Sequence, residues 1–288
     1  MVGPPDGMLV AGARESAISH SLPHEELPAE EVRRRFPVLN PEDGMIALLE
    51  PRAGILYPEL CVGTNLELAG KLGATLHCGE RIVSWRAGNG VVRVTTDRES
   101  YQAAHLILAV GPWMSELAGL ALPLTVERQL FHWFEPSKDP ELFHPDRCPI
   151  ALWEYKPHNI FATFPDMGDG VKAGIHHDGE ITTPDEVRRD VTSEDNEAMR
   201  SQMRRFVPTA SRRILDSRVC LYTNTPDHHF LVDRHPEHGE VIIASPCSGH
   251  GFKFSSAIGE VLADLVTTGG SGMDLTLFQA RRFSSETS

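Results

Sequence analysis

The spacing of apolar residues changes along this 288-residue chain, and it predicts helices in some segments and strands in others. Helical spacing occurs over 27–36, 59–72, 199–207 and about 253–266. In the second of these segments, Leu60, Leu66, Leu68 and Leu72 lie on roughly one side, and a glycine follows as a stop signal. The methionines of the third segment are expected to fill a core.

Short apolar and β-branched runs between these helices predict strands. The runs 81–86 and 91–96 flank Gly88-Asn89-Gly90, a sequence typical of a hairpin turn. The run HLILAV within 101–110 predicts a buried parallel strand, followed by a short helix over 114–120. Further strands are predicted over 75–78, 126–134, 160–164, 171–175 and 241–244. Helices mixed with strands in this order indicate an α/β organisation.

Composition narrows the classes of function. The formal net charge is -13 and the isoelectric point about 5.5, which argues against nucleic acid or an anionic membrane as a partner. No run approaches the ~18 apolar residues of a membrane helix, and the N-terminal residues do not resemble a secretory signal. The five cysteines are an odd and scattered set, so we expect reduced thiols and a cytoplasmic protein.

The residues 239–266 carry the strongest local signal, a strand followed by a glycine turn and a helix. Gly249 and Gly251 let the backbone approach a planar ligand closely. The helix directs free N–H groups toward the turn, and Lys253 adds a positive charge. The residues indicate an anion or cofactor site, with an ordinary strand-to-helix turn as the alternative.

Several segments together resemble one enzyme family. They are RVCLYTNTPDHHFLVDRHPEHGEVIIASPCSGHGFKFSSAIGEVL near the end and, upstream, AGILYPE, LILAVGPW, LPLTVERQ and GIHHDG. The chain resembles the monomeric sarcosine oxidase, N-methyltryptophan oxidase and pipecolate oxidase family, which are FAD-dependent amine oxidoreductases of the D-amino acid oxidase superfamily. This implies a mixed α/β fold in which an incomplete FAD-binding Rossmann-like domain is interleaved with a mixed-sheet substrate domain. The substrate domain would comprise residues 1–48 and 123–219, and the FAD domain residues 49–122 and 220–288.

The resemblance also implies roles for individual residues. Cys220 would attach covalently to the flavin, Lys253 would pair with the substrate carboxylate, and His176 would lie near the substrate amine. The remaining flavin contacts would come from Gly249, His250, Gly251, Phe252, Gly111, Trp113 and Val83. The implied reaction oxidises an N-methyl or cyclic secondary amino acid with oxygen to an imine or aldehyde and hydrogen peroxide.

Other readings of the histidines and of the turn remain open. Adjacent residues such as His176 and His177 rarely ligate one metal, so no metal site is expected. A hydrolase built on Ser248, His250 and an aspartate lacks the G-x-S-x-G arrangement of such enzymes. A binding module without catalysis is the third alternative.

The chain departs from the family pattern in several places. The family begins with a strand, a GxGxxG turn that binds the pyrophosphate and a helix, and residues 1–288 contain no such motif. We therefore expect a shortened chain, and the alternative to an active oxidase is an inactive homologue without flavin or one half of a split oxidase. It would then need a separate FAD-binding polypeptide or pair with a second copy. Pro246 replaces an expected glycine, and Phe161-Ala162 replaces a frequent tyrosine, so the substrate stays open.

Overall fold

The computed structural model describes residues 1–283. The strands are β1 Val2–Gly3, β2 Glu25–Pro28, β3 Ile46–Leu49, β4 Ile82–Gly88, β5 Val91–Thr96, β6 Ser100–Ala103, β7 Leu106–Leu108, β8 Thr125–Glu135, β9 Ala151–Lys156, β10 Asn159–Asp166, β11 Val171–His176, β12 Glu180–Thr182, β13 Arg213–Asn224, β14 Leu231–Arg234 and β15 Val241–Ser245. The α-helices are α1 Met8–Ser19, α2 Ala29–Arg35, α3 Pro58–Lys71, α4 Met114–Leu117, α5 Ser193–Phe206 and α6 Ser255–Thr267. These elements form two compact units. Unit 1 comprises 1–55, 127–181 and 186–221, and unit 2 comprises 56–126, 182–185 and 222 onward.

Unit 1 is built on a large mixed sheet. Its strands follow the order β12-β8-β11-β10-β9-β1-β3-β2, with β13 paired to β8. Aromatic residues dominate its core, where Trp153 stacks on Phe161 and both contact Phe206 of α5. The helix α5 also buries Met199 and Met203, as its spacing predicts. Thr192 and Asp195 cap this helix reciprocally, each side chain accepting a hydrogen bond from the other residue's backbone N–H.

Unit 2 contains two small sheets. One has the order β14-β15-β7, with β15 parallel to β7, and the other is the meander β4-β5-β6. Successive side chains of a strand point to opposite faces, so each face of β15 has its own core. Val241 and Ile243 pack with Leu108 and Val92 on one face, and Ile242 packs with residues of α6 on the other. The parallel pair of β7 and β15 positions the turns that follow these strands.

The mixed α/β fold class predicted from the sequence is confirmed, as are the 81–96 hairpin and the ends of α3 to within one residue. Three predictions were wrong. Residues 75–78 form no strand, since no other described strand pairs with them. Residues 101–110 form two strands rather than one, and only Leu108 of β7 is buried. Phe254 was expected on the buried face of α6, but it precedes that helix and is 42% exposed.

The sequence analysis did not predict the helix α1 or the strands β1, β2, β3, β9, β12, β13 and β14. Among residues 1–283, no helix combines the length and the apolar character needed to cross a membrane.

Candidate functional site

Two turns of unit 2 lie at the same sheet edge. Since β7 and β15 run parallel, with Leu106 opposite Val241 and Leu108 opposite Ile243, both strands end on one side. The first turn continues into a 3₁₀ helix over Gly111–Trp113. The second turn spans 246–251 and leads through a 3₁₀ helix over Phe252–Phe254 into α6. The carboxyl ends of parallel strands are the usual ligand-binding edge of an α/β sheet.

Close packing or a positive φ favours glycine at three positions of these turns. A Cβ at Gly251 would collide with the backbone carbonyl oxygen of Pro246. Gly249 has a φ of +76°, and a Cβ there would lie 2.6 Å from the ring of Tyr222. Gly111 also has a positive φ, +54°, but the space around its absent Cβ is open. The second turn is therefore tightly folded, whereas the first leaves room for a ligand.

Buried Ser248 connects the second turn to the end of β13 through hydrogen bonds. Its backbone N–H donates to the carbonyl oxygen of Thr223 at 2.9 Å. Its Oγ accepts from the backbone N–H of Thr225 at 3.3 Å and lies 3.2 Å from the Oγ1 of that residue. Ser248 is thus a structural residue of the turn, and this use of its hydroxyl does not match the nucleophile of a hydrolase. Sequence reasoning missed this role, because the contact joins residues far apart in the chain.

Lys253 projects from the short 3₁₀ helix before α6. Its Nζ donates to the carbonyl oxygen of His250 at 3.2 Å, and the side chain is otherwise exposed. Partial burial lowers the pKa of its ammonium group, since desolvation disfavours the charged form. The ring of His250 is itself positioned by a hydrogen-bonding contact, since its Nε2 lies 2.9 Å from the carbonyl oxygen of His228. The turn therefore presents a positioned cation at the sheet edge.

The other predicted contacts of unit 2 fall in two places. Trp113 lies in the first turn, where its Nε1 donates to the carboxylate of Asp185 at 3.1 Å. Val83 lies on β4 and lines a cavity of about 480 Å³ with Trp85, His235 and other residues. No residue of either glycine turn lines that cavity. The structure therefore groups Gly111, Trp113 and the 249–253 segment but not Val83.

In unit 1, one face of β11 carries the remaining candidates. Alternation places Lys172, Gly174 and His176 on the same face, opposite the core residues of that strand. His176 is half-buried at the end of β11, opposite Ile160 of β10. A Cβ at Gly174 would lie 2.7 Å from the ring of Phe131 on β8, so the backbones pack closely here.

Cys220 is close to the same group of residues. Burial raises the pKa of its thiol to about 11, while the positive charges of Lys172 and Arg189 act in the opposite direction. The ammonium of Lys172 lies 4.3 Å from the centroid of Phe131 and 5.3 Å from that of Trp133. Sequence reasoning missed this aromatic enclosure, although alternating aromatics on β8 were a visible signal. Cys220 therefore lies near Lys172, which is on the same face of β11 as His176.

A second cavity, of about 150 Å³, lies in unit 1, and several of the residues that line it are charged. Buried Arg128 forms two hydrogen bonds with the carboxylate of Asp195, at 3.2 and 3.0 Å. This pair and the backbone N–H of Thr192 hold the pKa of Asp195 far below its usual value, against the opposing effect of burial. Burial lowers the pKa of His132, which also lines the cavity, to about 4. Among residues 1–283, no group of three His, Cys, Asp or Glu side chains is arranged to hold a metal.

Comparison with known proteins identifies the family. The model of the FAD dependent oxidoreductase family matches residues 7–265. The chain belongs to this family. It is 40% identical to the monomeric sarcosine oxidase of Streptomyces avermitilis, over 98% of this chain and 75% of that protein. It is 30% identical to the N-methyl-L-tryptophan oxidase of Yersinia pestis, over 98% of this chain and 76% of that protein. The resemblance stated from sequence motifs is confirmed.

Solved structures of the oxidoreductase family share the fold. The L-proline dehydrogenase from P. horikoshii superposes with a TM-score of 0.84, at 19% identity, over 98% of this chain and 76% of that one. NikD, an amino acid oxidase of nikkomycin biosynthesis, superposes with a TM-score of 0.81 at 20% identity, over 97% and 75%.

The residues of the two turns fit a flavin. The tight second turn brings the backbone and Lys253 to the sheet edge, and the open space at Gly111 admits a planar group. A GxGxxG turn for the pyrophosphate does not occur in residues 1–288.

Proposed function

We propose that this protein oxidises an N-methyl or cyclic secondary amino acid with oxygen. The observation that carries the proposal is the pair of glycine turns with Lys253 at the edge of a parallel sheet, in a chain 40% identical to a monomeric sarcosine oxidase. The substrate loses two electrons and two protons across its C–N bond, one hydrogen from carbon and one from nitrogen, and becomes an imine. Water hydrolyses the imine to an aldehyde or an oxo acid, and oxygen takes up two electrons and two protons as hydrogen peroxide.

The protein would hold FAD at the two turns of unit 2. FAD, when bound, supplies the electron acceptor for the oxidation, and the protein supplies position and electrostatic field. Gly249, Gly251 and Gly111 would let the backbone approach the ring system. The N–H groups that precede α6 and the ammonium of Lys253 would stabilise negative charge there. On this proposal, unit 2 corresponds to the FAD domain and unit 1 to the substrate domain.

Two residues would act on the substrate. The ammonium of Lys253 pairs with the carboxylate, for which a compact point charge is suited. Its lowered pKa reflects partial desolvation, which also strengthens an ion pair formed with the substrate. His176, half-buried at the end of β11, would line the side of the substrate amine, which must be neutral to be oxidised.

Cys220 is the proposed point of covalent attachment, where a C–S bond would replace the thiol S–H bond and a C–H bond of a flavin methyl group, and the two electrons and two protons released would pass to oxygen as hydrogen peroxide. A thiol attacks as its thiolate, and burial opposes thiolate formation at this position. The positive charges of Lys172 and Arg189 lower the pKa of Cys220 and so favour the thiolate. Covalent attachment would retain the cofactor even where few other contacts hold it. A cytoplasmic location, expected from the reduced cysteines, stays a prediction.

The substitution Lys253→Met tests the proposed substrate contact. It removes the charge and retains most of the side-chain length, so we expect the KM for sarcosine to rise about 100-fold or more, the effect of losing a charged hydrogen bond of ~3 kcal/mol. Flavin content, measured by absorbance, should stay near that of the wild type. An unchanged KM would exclude Lys253 from binding the carboxylate. Glu260→Met, an exposed position on α6, is the control.

The proposal includes a partner polypeptide. Residues 1–288 contain no GxGxxG motif for the pyrophosphate, and a separate FAD-binding polypeptide or a homodimer stays a prediction.

A further inference from the structure

Two strands of unit 1 place a pair of small residues on the face that carries His176. Ala162 of β10 lies opposite Gly174 of β11, and Ile160 lies opposite His176 further along the same strands. Residues that lie opposite each other in an antiparallel pair point to the same face, so these four positions share it. Because Gly174 has no side chain and Ala162 has only a methyl group, the two residues leave a depression in the sheet surface beside His176.

The ring of Phe131 fills this depression from the neighbouring strand β8. A Cβ on Gly174 would lie 2.7 Å from its Cδ1 and 2.9 Å from its Cε1, so the ring lies directly over the glycine backbone. Trp133 is in register with Lys172, and Phe131, two residues earlier, points to the same face. The ammonium of Lys172 lies 4.3 Å from the centroid of this ring. The ring of Phe131 is therefore held between the positions of Lys172 and His176 on β11.

Phe131 is not part of the hydrophobic core of unit 1. That core contains Phe134 of the same strand, together with Ala173 and Phe161, and these side chains point to the other face of the sheet. Phe134 is fully buried, whereas Phe131 is half-buried. A half-buried ring that covers a glycine beside His176 shapes the surface around that histidine.

We propose that Phe131 determines substrate specificity by filling the space that a large side chain of the substrate would occupy. The inference rests on the proposed function, in which His176 lines the side of the substrate amine. Neighbouring residues on one face of a strand are about 6–7 Å apart, twice the rise per residue. An aromatic group on the α-carbon of the substrate spans this distance and meets the ring of Phe131. Sarcosine and small cyclic amino acids, which carry no such group, fit beside the ring.

The expected effect follows from the selectivity of apolar pockets. A single methylene group changes the relative kcat/KM of two substrates by about 10–200-fold. A benzyl group is larger than a methylene group, so removal of the Phe131 ring should change the preference between N-methyl-L-phenylalanine and sarcosine by about 100-fold or more.

The test compares Phe131→Ala with the wild type, each as the full chain loaded with FAD. The kcat/KM for sarcosine and for N-methyl-L-phenylalanine is measured from the release of hydrogen peroxide. We expect the ratio of the second value to the first to rise about 100-fold or more in Phe131→Ala. Phe131→Leu keeps part of the side-chain volume and should raise the ratio by a smaller factor.

Leu130→Ala is the matched control. Leu130 directly precedes Phe131 on β8, so its side chain points to the other face, where it lines the 150 Å³ cavity. This substitution also removes an apolar side chain from the same strand. Its ratio of kcat/KM values should equal that of the wild type, which separates a specific effect of Phe131 from a general loosening of the sheet.

A binding measurement provides a readout that does not depend on turnover. The probes are methoxyacetate and 2-methoxy-3-phenylpropanoate, ether analogues of the two substrates that have no amine to oxidise. Calorimetric titration of the FAD-loaded protein should show that Phe131→Ala tightens binding of the larger ether about tenfold or more. Binding of the smaller ether should stay within about threefold of the wild-type value.

The outcomes separate the specificity from the proposed chemistry. Oxidation of sarcosine with the same ratio in Phe131→Ala and the wild type supports the proposed function and overturns the role of Phe131. A wild type that oxidises both substrates with equal efficiency overturns it as well. A protein that oxidises neither substrate but shows the change in ether binding supports the role of Phe131 and contradicts the proposed oxidation. A protein that oxidises neither substrate and binds neither ether overturns both. If Phe131→Ala does not fold, Phe131→Leu decides by the same ratios.

Discussion

The substitution Gly251→Ala should destabilise unit 2 through a collision between backbone atoms. A methyl group at this position would overlap the carbonyl oxygen of Pro246 and lie 2.7 Å from the carbonyl carbon of that residue. Neither atom belongs to a flexible side chain, so the turn itself must open. The turn is fixed by the bonds that Ser248 forms with Thr223 and Thr225, and opening strains or breaks them.

The magnitude follows from these contacts. Forcing an extra methyl group into a packed site costs roughly 1–3 kcal/mol, and each lost hydrogen bond about 1 kcal/mol more. We therefore expect the free energy of unfolding to fall by about 2–4 kcal/mol. For a protein of this size that lowers Tm by roughly 3–7 °C. The loss should appear without any ligand, because the collision is internal to the turn.

Urea unfolding followed by tryptophan fluorescence measures the change. Gly259→Ala is the matched control, since it is eight residues away on α6 and has no atom within 4 Å of the added Cβ. That control should stabilise the protein by about 0.5–1 kcal/mol, because alanine favours a helix over glycine. The reasoning is refuted if Gly251→Ala unfolds at the same urea concentration as the wild type, or at a higher one.

Further predictions concern buried ionisable residues of unit 1. Burial lowers the pKa of His132 to about 4, so folding favours its neutral form. The free energy of unfolding should therefore fall by up to roughly 3 kcal/mol as the pH drops from about 6.5 to about 4. Urea titrations of His132→Leu should show a flatter dependence on pH. Burial raises the pKa of Cys220 to about 11, so iodoacetamide at pH 8 should label it roughly two orders of magnitude more slowly than an ordinary thiol. Mass spectrometry measures the labelling rate, and a rate equal to that of an ordinary thiol would contradict the burial of Cys220. Asp195→Ala removes the ion-pair partner of buried Arg128 and should lower the free energy of unfolding by about 3–5 kcal/mol, as measured by thermal unfolding. The control Glu197→Ala removes only exposed ion pairs and should lower it by less than about 1 kcal/mol. Similar losses for the two variants would refute this ranking.

Elements with strong local signals were predictable from the sequence. Pro58 and Gly73 frame α3, the Gly-Asn-Gly turn sets the hairpin of β4 and β5, and the apolar run of β15 precedes α6. Each signal lies within a few residues of the element that it determines. The helix α1 lacks such a signal, since its apolar residues have no clear helical stripe, and only Val10 and Ala17 are buried.

Burial could not be read from the same patterns. The apolar residues of α3 predict a buried face, and the HLILAV run predicts a buried strand, yet both are largely exposed among the described residues. Burial depends on the partner of an element, and periodicity does not specify a partner. The same holds for the site. Gly249, Gly251 and Lys253 were found from a local motif, whereas Lys172 and Ser248 act through contacts between distant segments.

Anaerobic mixing of the FAD-loaded protein with sarcosine tests the central claim most directly. The account predicts that the visible absorbance of the oxidised flavin is lost with sarcosine or pipecolate and returns with hydrogen peroxide when oxygen is admitted. Glycine, which has no N-methyl group, should leave the spectrum unchanged. A flavin that stays oxidised with every secondary amino acid offered would contradict the proposed oxidation.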